Sequence, residues 1–148
     1  MRAALGEAQK AMAQGEVPVG AVIVRDGEII STGYNKREQN KMATAHAELM
    51  AIEDACRILG GWRLSGCTLY VTLEPCPMCA GAIINSRLDR VVYGTADSAS
   101  GCVGSVINFN AYPFNHAFDT TGGVCEEECA EILRRFFAAK RQKKTFFI

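Results

Sequence analysis

Apolar residues recur at helical spacing over the first stretch of the chain (Ala4, Leu5, Ala8, Ala11, Met12), predicting an amphipathic helix over 1–14 that stops near Gly15. The period then changes. Residues 19–25 are rich in β-branched side chains, Asp26-Gly27 is the strongest short hairpin signal, and 28–34 supplies the partner strand. Residues 36–44 are polar and read as a loop. Leu49, Ile52, Cys56 and Leu59 then mark a second helix over 45–59, ended by Gly60-Gly61. A strand over 68–73 meets Pro75 and Pro77, after which 78–86 reads as a helix and 90–95 as a strand. The Gly-, Ser- and Asn-rich stretch 96–116 reads as an ordered loop over a site. A short strand over 117–121 and a helix over 126–143 follow. That helix opens on Glu126–Glu128, closes on Lys140, Arg141, Lys143 and Lys144, and carries Phe136-Phe137, read as core packing.

Strands alternating with helices after an initial hairpin imply an α/β protein with a mixed sheet covered by helices on both faces. With 148 residues, 49% of them apolar and 22% charged, the chain suits one domain over 1–148 with a sizeable core. The net charge of +0 excludes a histone-like or strongly basic coat protein, so any nucleic-acid contact uses a local patch. The longest uncharged run, between Asp97 and Asp119, is broken by Gly101, Gly104 and Pro113 and does not suit a bilayer. No secretory signal pattern opens the chain, so a cytoplasmic location with no membrane contact is expected.

Cysteine changes the picture. Seven cysteines without an export signal argue for reduced thiols or metal ligands rather than a disulfide framework, and only two histidines, His46 and His116, are available beside them. Cys76 and Cys79, three apart where a helix opens, place their sulfurs on one face, and the free amides there favour thiolates. With His46 they make three ligands and leave a fourth tetrahedral position for water, the arrangement of a catalytic zinc. Glu48, two residues from His46, is poorly placed as a ligand but well placed to move a proton from that water. A redox dithiol and a structural zinc closed by Cys125 or Cys129 are the competing readings. His116 is read as a satisfied or surface histidine, and the remaining cysteines as small core residues.

The linked pattern His46-Ala47-Glu48 and Pro75-Cys76-Pro77-Met78-Cys79 resembles the signature of the zinc nucleobase deaminases. Glu16 to Ala21, Thr44 to Glu48, Leu69 to Cys76, Met78 to Ala82, Gly101 to Ser105, Asn115-His116 and Glu127 to Cys129 extend the likeness to the bacterial tRNA-specific adenosine deaminase family over nearly the whole chain. That resemblance implies a cytidine-deaminase-like three-layer α/β/α sandwich on a mixed, mainly five-stranded sheet, assembled as a homodimer. It implies one zinc per subunit on His46, Cys76 and Cys79, with Glu48 as proton shuttle while zinc-bound hydroxide attacks C6. The implied substrate is the wobble adenosine of an arginine tRNA anticodon stem-loop, converted to inosine. Asn35 matches a residue contacting the flipped nucleotide; Val17, Pro18, Val19 and the Ala47 backbone would line the base pocket; Asn115 and Asp97 match positions near the RNA. The family commonly carries Arg and Lys where this chain has Ala96 and Ala99, so two phosphate-facing charges are missing. The alternative is a deaminase of a free base or nucleoside (guanine, cytosine, cytidine) with the same zinc chemistry.

Overall fold

The computed structural model describes residues 1–145. Its first helix, α1 (Arg2–Ala13), buries Ala4, Leu5, Ala8 and Ala11 on one face. Strands β1 (Gly20–Arg25) and β2 (Glu28–Tyr34) pair antiparallel through Asp26 (φ 51°) and Gly27 (φ 79°), the two left-handed positions of the turn that Asp-Gly favours. Next come α2 (Arg37–Asn40), α3 (Ala47–Leu59), β3 (Cys67–Leu73), α4 (Pro77–Asn85) and β4 (Arg90–Thr95). A 3-10 turn (Phe109–Ala111), β5 (Asp119–Thr121) and α5 (Glu126–Thr145) complete the described residues.

The sheet order is β2-β1-β3-β4-β5. β1 runs antiparallel to both neighbours, while β3, β4 and β5 run parallel. Helices α1 and α5 cover one face and α3, beside α4, covers the other. The expected three-layer sandwich with a mixed five-stranded sheet is therefore what the chain forms. The larger core joins Ala21, Ile23, Leu69, Val71 and Val91 to Ala47, Ala51 and Ile83. Each large side chain buried there contributes about 1.5–3 kcal/mol. A smaller cluster of Leu5, Ala8, Cys129 and Ile132 holds α1 against α5.

Two of the sheet's glycines let α1 and α3 sit close. A Cβ on Gly20 would overlap the Ala4 carbonyl of α1, and one on Gly33 would overlap the Ala47 carbonyl of α3, on the opposite face.

Three expectations need adjusting. The polar stretch 36–44 contains the four-residue α2, which no local pattern announced. The second helix begins at Ala47, so Ala45 and His46 precede it, with His46 as its N-cap. Phe136 is half-buried and Phe137 is 41% exposed, so the pair is not core. Their rings pack edge-on at 5.3 Å instead, and Lys140 lies 5.7 Å from the Phe136 ring.

Candidate active site

Antiparallel β1 and parallel β3 and β4 bring different chain ends to one edge of the sheet. Ala21 pairs with Val71, Gly20 with Tyr34, and Leu73 with Thr95. The start of β1 and the ends of β2, β3 and β4 therefore meet at one rim. Open α/β sheets bind ligands beyond the carboxyl ends of parallel strands, and here α3 and α4 both open at that rim.

His46 caps α3 and Cys76 caps α4, both with extended backbone and neither using its side chain to cap. Pro77 takes the first turn of α4, where its missing N–H has no helical partner. Cys79, one turn on, lies beneath Cys76. Nδ1 of His46 is 3.6 Å from the Cys76 sulfur and 3.5 Å from the Cys79 sulfur. All three donor atoms lie within 4.8 Å of one another. Tetrahedral zinc, with bonds of about 2.0–2.3 Å, holds such donors roughly 3.5–3.8 Å apart, so the trio fits the ion.

Electrostatics agrees with that donor set. The Cys76 thiol is lowered to about 4, chiefly because the Cys79 thiol donates to its thiolate, with His46 adding to the effect. Cys79 keeps its proton and is pushed up, first by that same pairing and then by burial. His46 is raised by its contact with Cys76. Glu48, in the first turn of α3, is 4% exposed, and burial pushes its carboxyl up. Glu48 is not part of the ligand trio.

A cavity of about 130 Å³ opens over these groups. It is lined by Val17, Val19, Asn35, Ala47, Glu48 and Asp97 among the residues singled out from sequence, together with His46 and Cys76. Pro18 is fully buried and does not line it. Asn115 is exposed on the loop before β5 and does not line it either. Asn35 donates through Nδ2 to the Val17 carbonyl at 3.2 Å and accepts from the Arg37 amide at 3.1 Å, bracing the two sides of one wall. Asp97 accepts from the Ala99 and Ser100 amides and from the Ser100 hydroxyl.

Sequence reasoning missed four lining residues: Arg37, Leu73, Glu74 and Ser100. Leu73 and Glu74 stood directly before Pro75-Cys76, which was the available signal. It also missed Glu16, buried at 1% exposure, whose carboxylate accepts from the Glu38 and Gln39 amides at 3.1 and 2.6 Å and so holds α2. His116 bonds the Leu88 carbonyl at 2.7 Å, as a satisfied histidine does. Cys129 is buried and Cys125 half-buried on the α5 side, and neither joins the trio.

The model of the cytidine and deoxycytidylate deaminase zinc-binding region matches residues 1–95. The chain is 51% identical to the tRNA-specific adenosine deaminase of Bacillus subtilis (strain 168), covering 97% of this chain and 90% of that one. It superposes on a solved structure from work on A-to-I editing by tRNA:A34 deaminases with a TM-score of 0.88 and 47% identity, covering 90% and 97% of the two chains. Guanine deaminase from Bacillus subtilis is also similar, with a TM-score of 0.61 and 33% identity over 77% and 83%. A zinc-fitting His-Cys-Cys trio beside a buried carboxylate, on this fold and with these relatives, places the chain in the tRNA-specific adenosine deaminase family of zinc-dependent deaminases.

Proposed function

We infer that this protein is a zinc-dependent hydrolase that deaminates adenosine to inosine at the wobble position of tRNA, with an arginine tRNA anticodon as the first substrate to offer. The observation that carries this is one cavity lined by His46 and Cys76 of the trio and by the buried Glu48, in a chain 51% identical to a tRNA-specific adenosine deaminase. His46, Cys76 and Cys79 hold the zinc. When bound, zinc would supply the Lewis acidity that lowers the pKa of water to about 7.

The protein's own groups do the rest. Glu48 accepts a proton from the attacking water and delivers it to N1 of adenine as C6 is attacked. It then carries water's second proton to the departing amine, so ammonia leaves and the C6 carbonyl of inosine remains. Burial suits Glu48 to the task, because a raised pKa makes it a better base than a solvated carboxylate. Val17, Val19 and Leu73 give the base an apolar seat, the Ala47 backbone borders it, and Asn35 and Asp97 offer polar contacts at its edge. Pro18 backs the Val17–Val19 wall from within the core. Asn115 contacts RNA outside the cavity. A cavity this small admits one base, and an anticodon-loop base is already unpaired, which reduces the cost of flipping it.

Exposed Arg37 lines the cavity and supplies positive charge there, with exposed Lys41 four positions on in the same segment. The protein acts as one domain over 1–148, as a homodimer in the cytoplasm. Among the described residues, no helix is long and apolar enough to cross a membrane.

The test is a mass-spectrometric product assay with Glu48→Ala as the blank. Inosine at the wobble position of an arginine-tRNA stem-loop is expected, and it should be absent with the variant. Turnover confined to free guanine, cytosine or a nucleoside would move the assignment to the small-molecule deaminases.

A further inference from the structure

Glu74 joins the zinc-binding turn to the loop after β4. It follows the last residue of β3 and precedes Pro75 and Cys76, and its own amide donates to the Thr95 carbonyl of β4 at 2.9 Å. The residue is 2% exposed, yet among the described residues no lysine or arginine pairs with it. A buried carboxylate without a cation is costly unless its oxygens are fully hydrogen-bonded.

Here every bonding group comes from one loop. Oε1 accepts from the Asp97 amide at 3.2 Å and from the Ser105 hydroxyl. Oε2 accepts from the Val103 amide at 3.2 Å and the Ser105 amide at 3.1 Å. Gly101 lies so close that a Cβ there would overlap the carboxylate. The next residue's carbonyl, that of Pro75, takes the Cys102 amide at 2.9 Å.

The loop that wraps Glu74 is also a wall of the cavity, through Asp97 and Ser100. It cannot swing away without stranding a buried charge, so it is a wall and not a lid. We propose that Glu74 is a positioning residue: its carboxylate holds the 97–105 loop against the zinc-binding turn and thereby sets the wall of the base pocket. This rests on the deaminase reading for its kinetic consequence, but not for its mechanical one.

Glu74→Gln keeps the size but turns an amide donor toward amide donors. Hydrogen exchange should show the Asp97, Val103 and Ser105 amides protected in the parent and exchanging at least tenfold faster in the variant. That measurement involves no substrate, so its failure is separable from a wrong substrate assignment. On the anticodon stem-loop, kcat/KM per zinc-loaded chain should fall on the order of 10–100-fold, mainly through KM, with one zinc per chain retained. Ser105→Ala removes only one hydroxyl donor, from a residue that is itself exposed, and should raise KM a few-fold with little change in Tm; it decides the matter if the Gln variant fails to fold. Unchanged amide exchange would overturn the proposal. So would KM and kcat within twofold of the parent while only Tm falls, or loss of zinc and kcat together at constant KM.

Discussion

His46 and Cys76 lie thirty positions apart, yet each is the N-cap of its helix, and their side chains meet with Nδ1 3.6 Å from the sulfur. Two helix N-termini thus converge on the trio. Their partial positive charge favours thiolates and any negative charge that develops at the substrate. It is the sulfurs that make such a place hospitable to a cation.

Removing the proton carrier should separate chemistry from metal binding. Glu48→Ala is expected to keep one zinc per chain and to lose roughly 10²–10⁴-fold in kcat, the usual worth of a positioned acid–base group. Metal analysis beside single-turnover rates checks this; zinc lost in step with activity would show Glu48 serving as a ligand.

Zinc affinity should fall as pH falls. Cys76 is already a thiolate at neutral pH, with its pKa lowered to about 4, whereas Cys79 keeps its proton and must release it on binding. His46, raised by Cys76, adds a second proton once it is charged. The expected slope is about one decade of affinity per pH unit near neutrality, steepening toward two at lower pH. Chelator competition across that range measures it, and a flat profile contradicts it. In zinc-stripped protein Cys76 should be the first thiol alkylated, and zinc should protect it.

The two close-approach glycines should differ. Gly33→Ala pushes on the Ala47 carbonyl, one residue from His46, so it should destabilise by about 1–3 kcal/mol or more and weaken zinc retention. Gly20→Ala pushes on α1 and should cost a similar amount with zinc retained. Thermal melts paired with metal analysis separate the two.

Restoring charge beside the cavity should strengthen RNA binding. Ala96 and Ala99 are exposed on the 97–105 side. Ala96→Arg and Ala99→Lys should each steepen the dependence of log affinity on log salt by about 0.7–0.9 for every phosphate contacted. A salt titration of stem-loop binding reads this directly, and unchanged slopes would place the phosphates elsewhere.

Much of this was legible because it is local. Asp26-Gly27 dictates its turn, Gly60 ends α3, and Cys76 to Cys79 is a ligand pair within one helical turn. What stayed hidden depends on partners distant in sequence. α2 is four residues long, too short to hold itself, and is held by the Glu16 carboxylate more than twenty positions earlier. Glu74 looked like one acidic residue among many until the fold wrapped the 97–105 loop around it. Phe137 was misjudged because an aromatic pair on a helix signals burial only where another element covers that turn.

The match to the zinc-binding-region model ends at residue 95, two positions before the loop wall that starts at Asp97, while the likeness to the tRNA-specific adenosine deaminase of Bacillus subtilis runs over 97% of the chain. Metal grip and proton transfer are thus written in one stretch of chain, and part of the frame that receives the base in the next. That loop is fastened to the zinc-binding turn through the Glu74 carboxylate and the Pro75 carbonyl: exchanging 97–105 as a cassette, with both anchors left in place, offers a route to new substrates that keeps the metal ligands and Glu48.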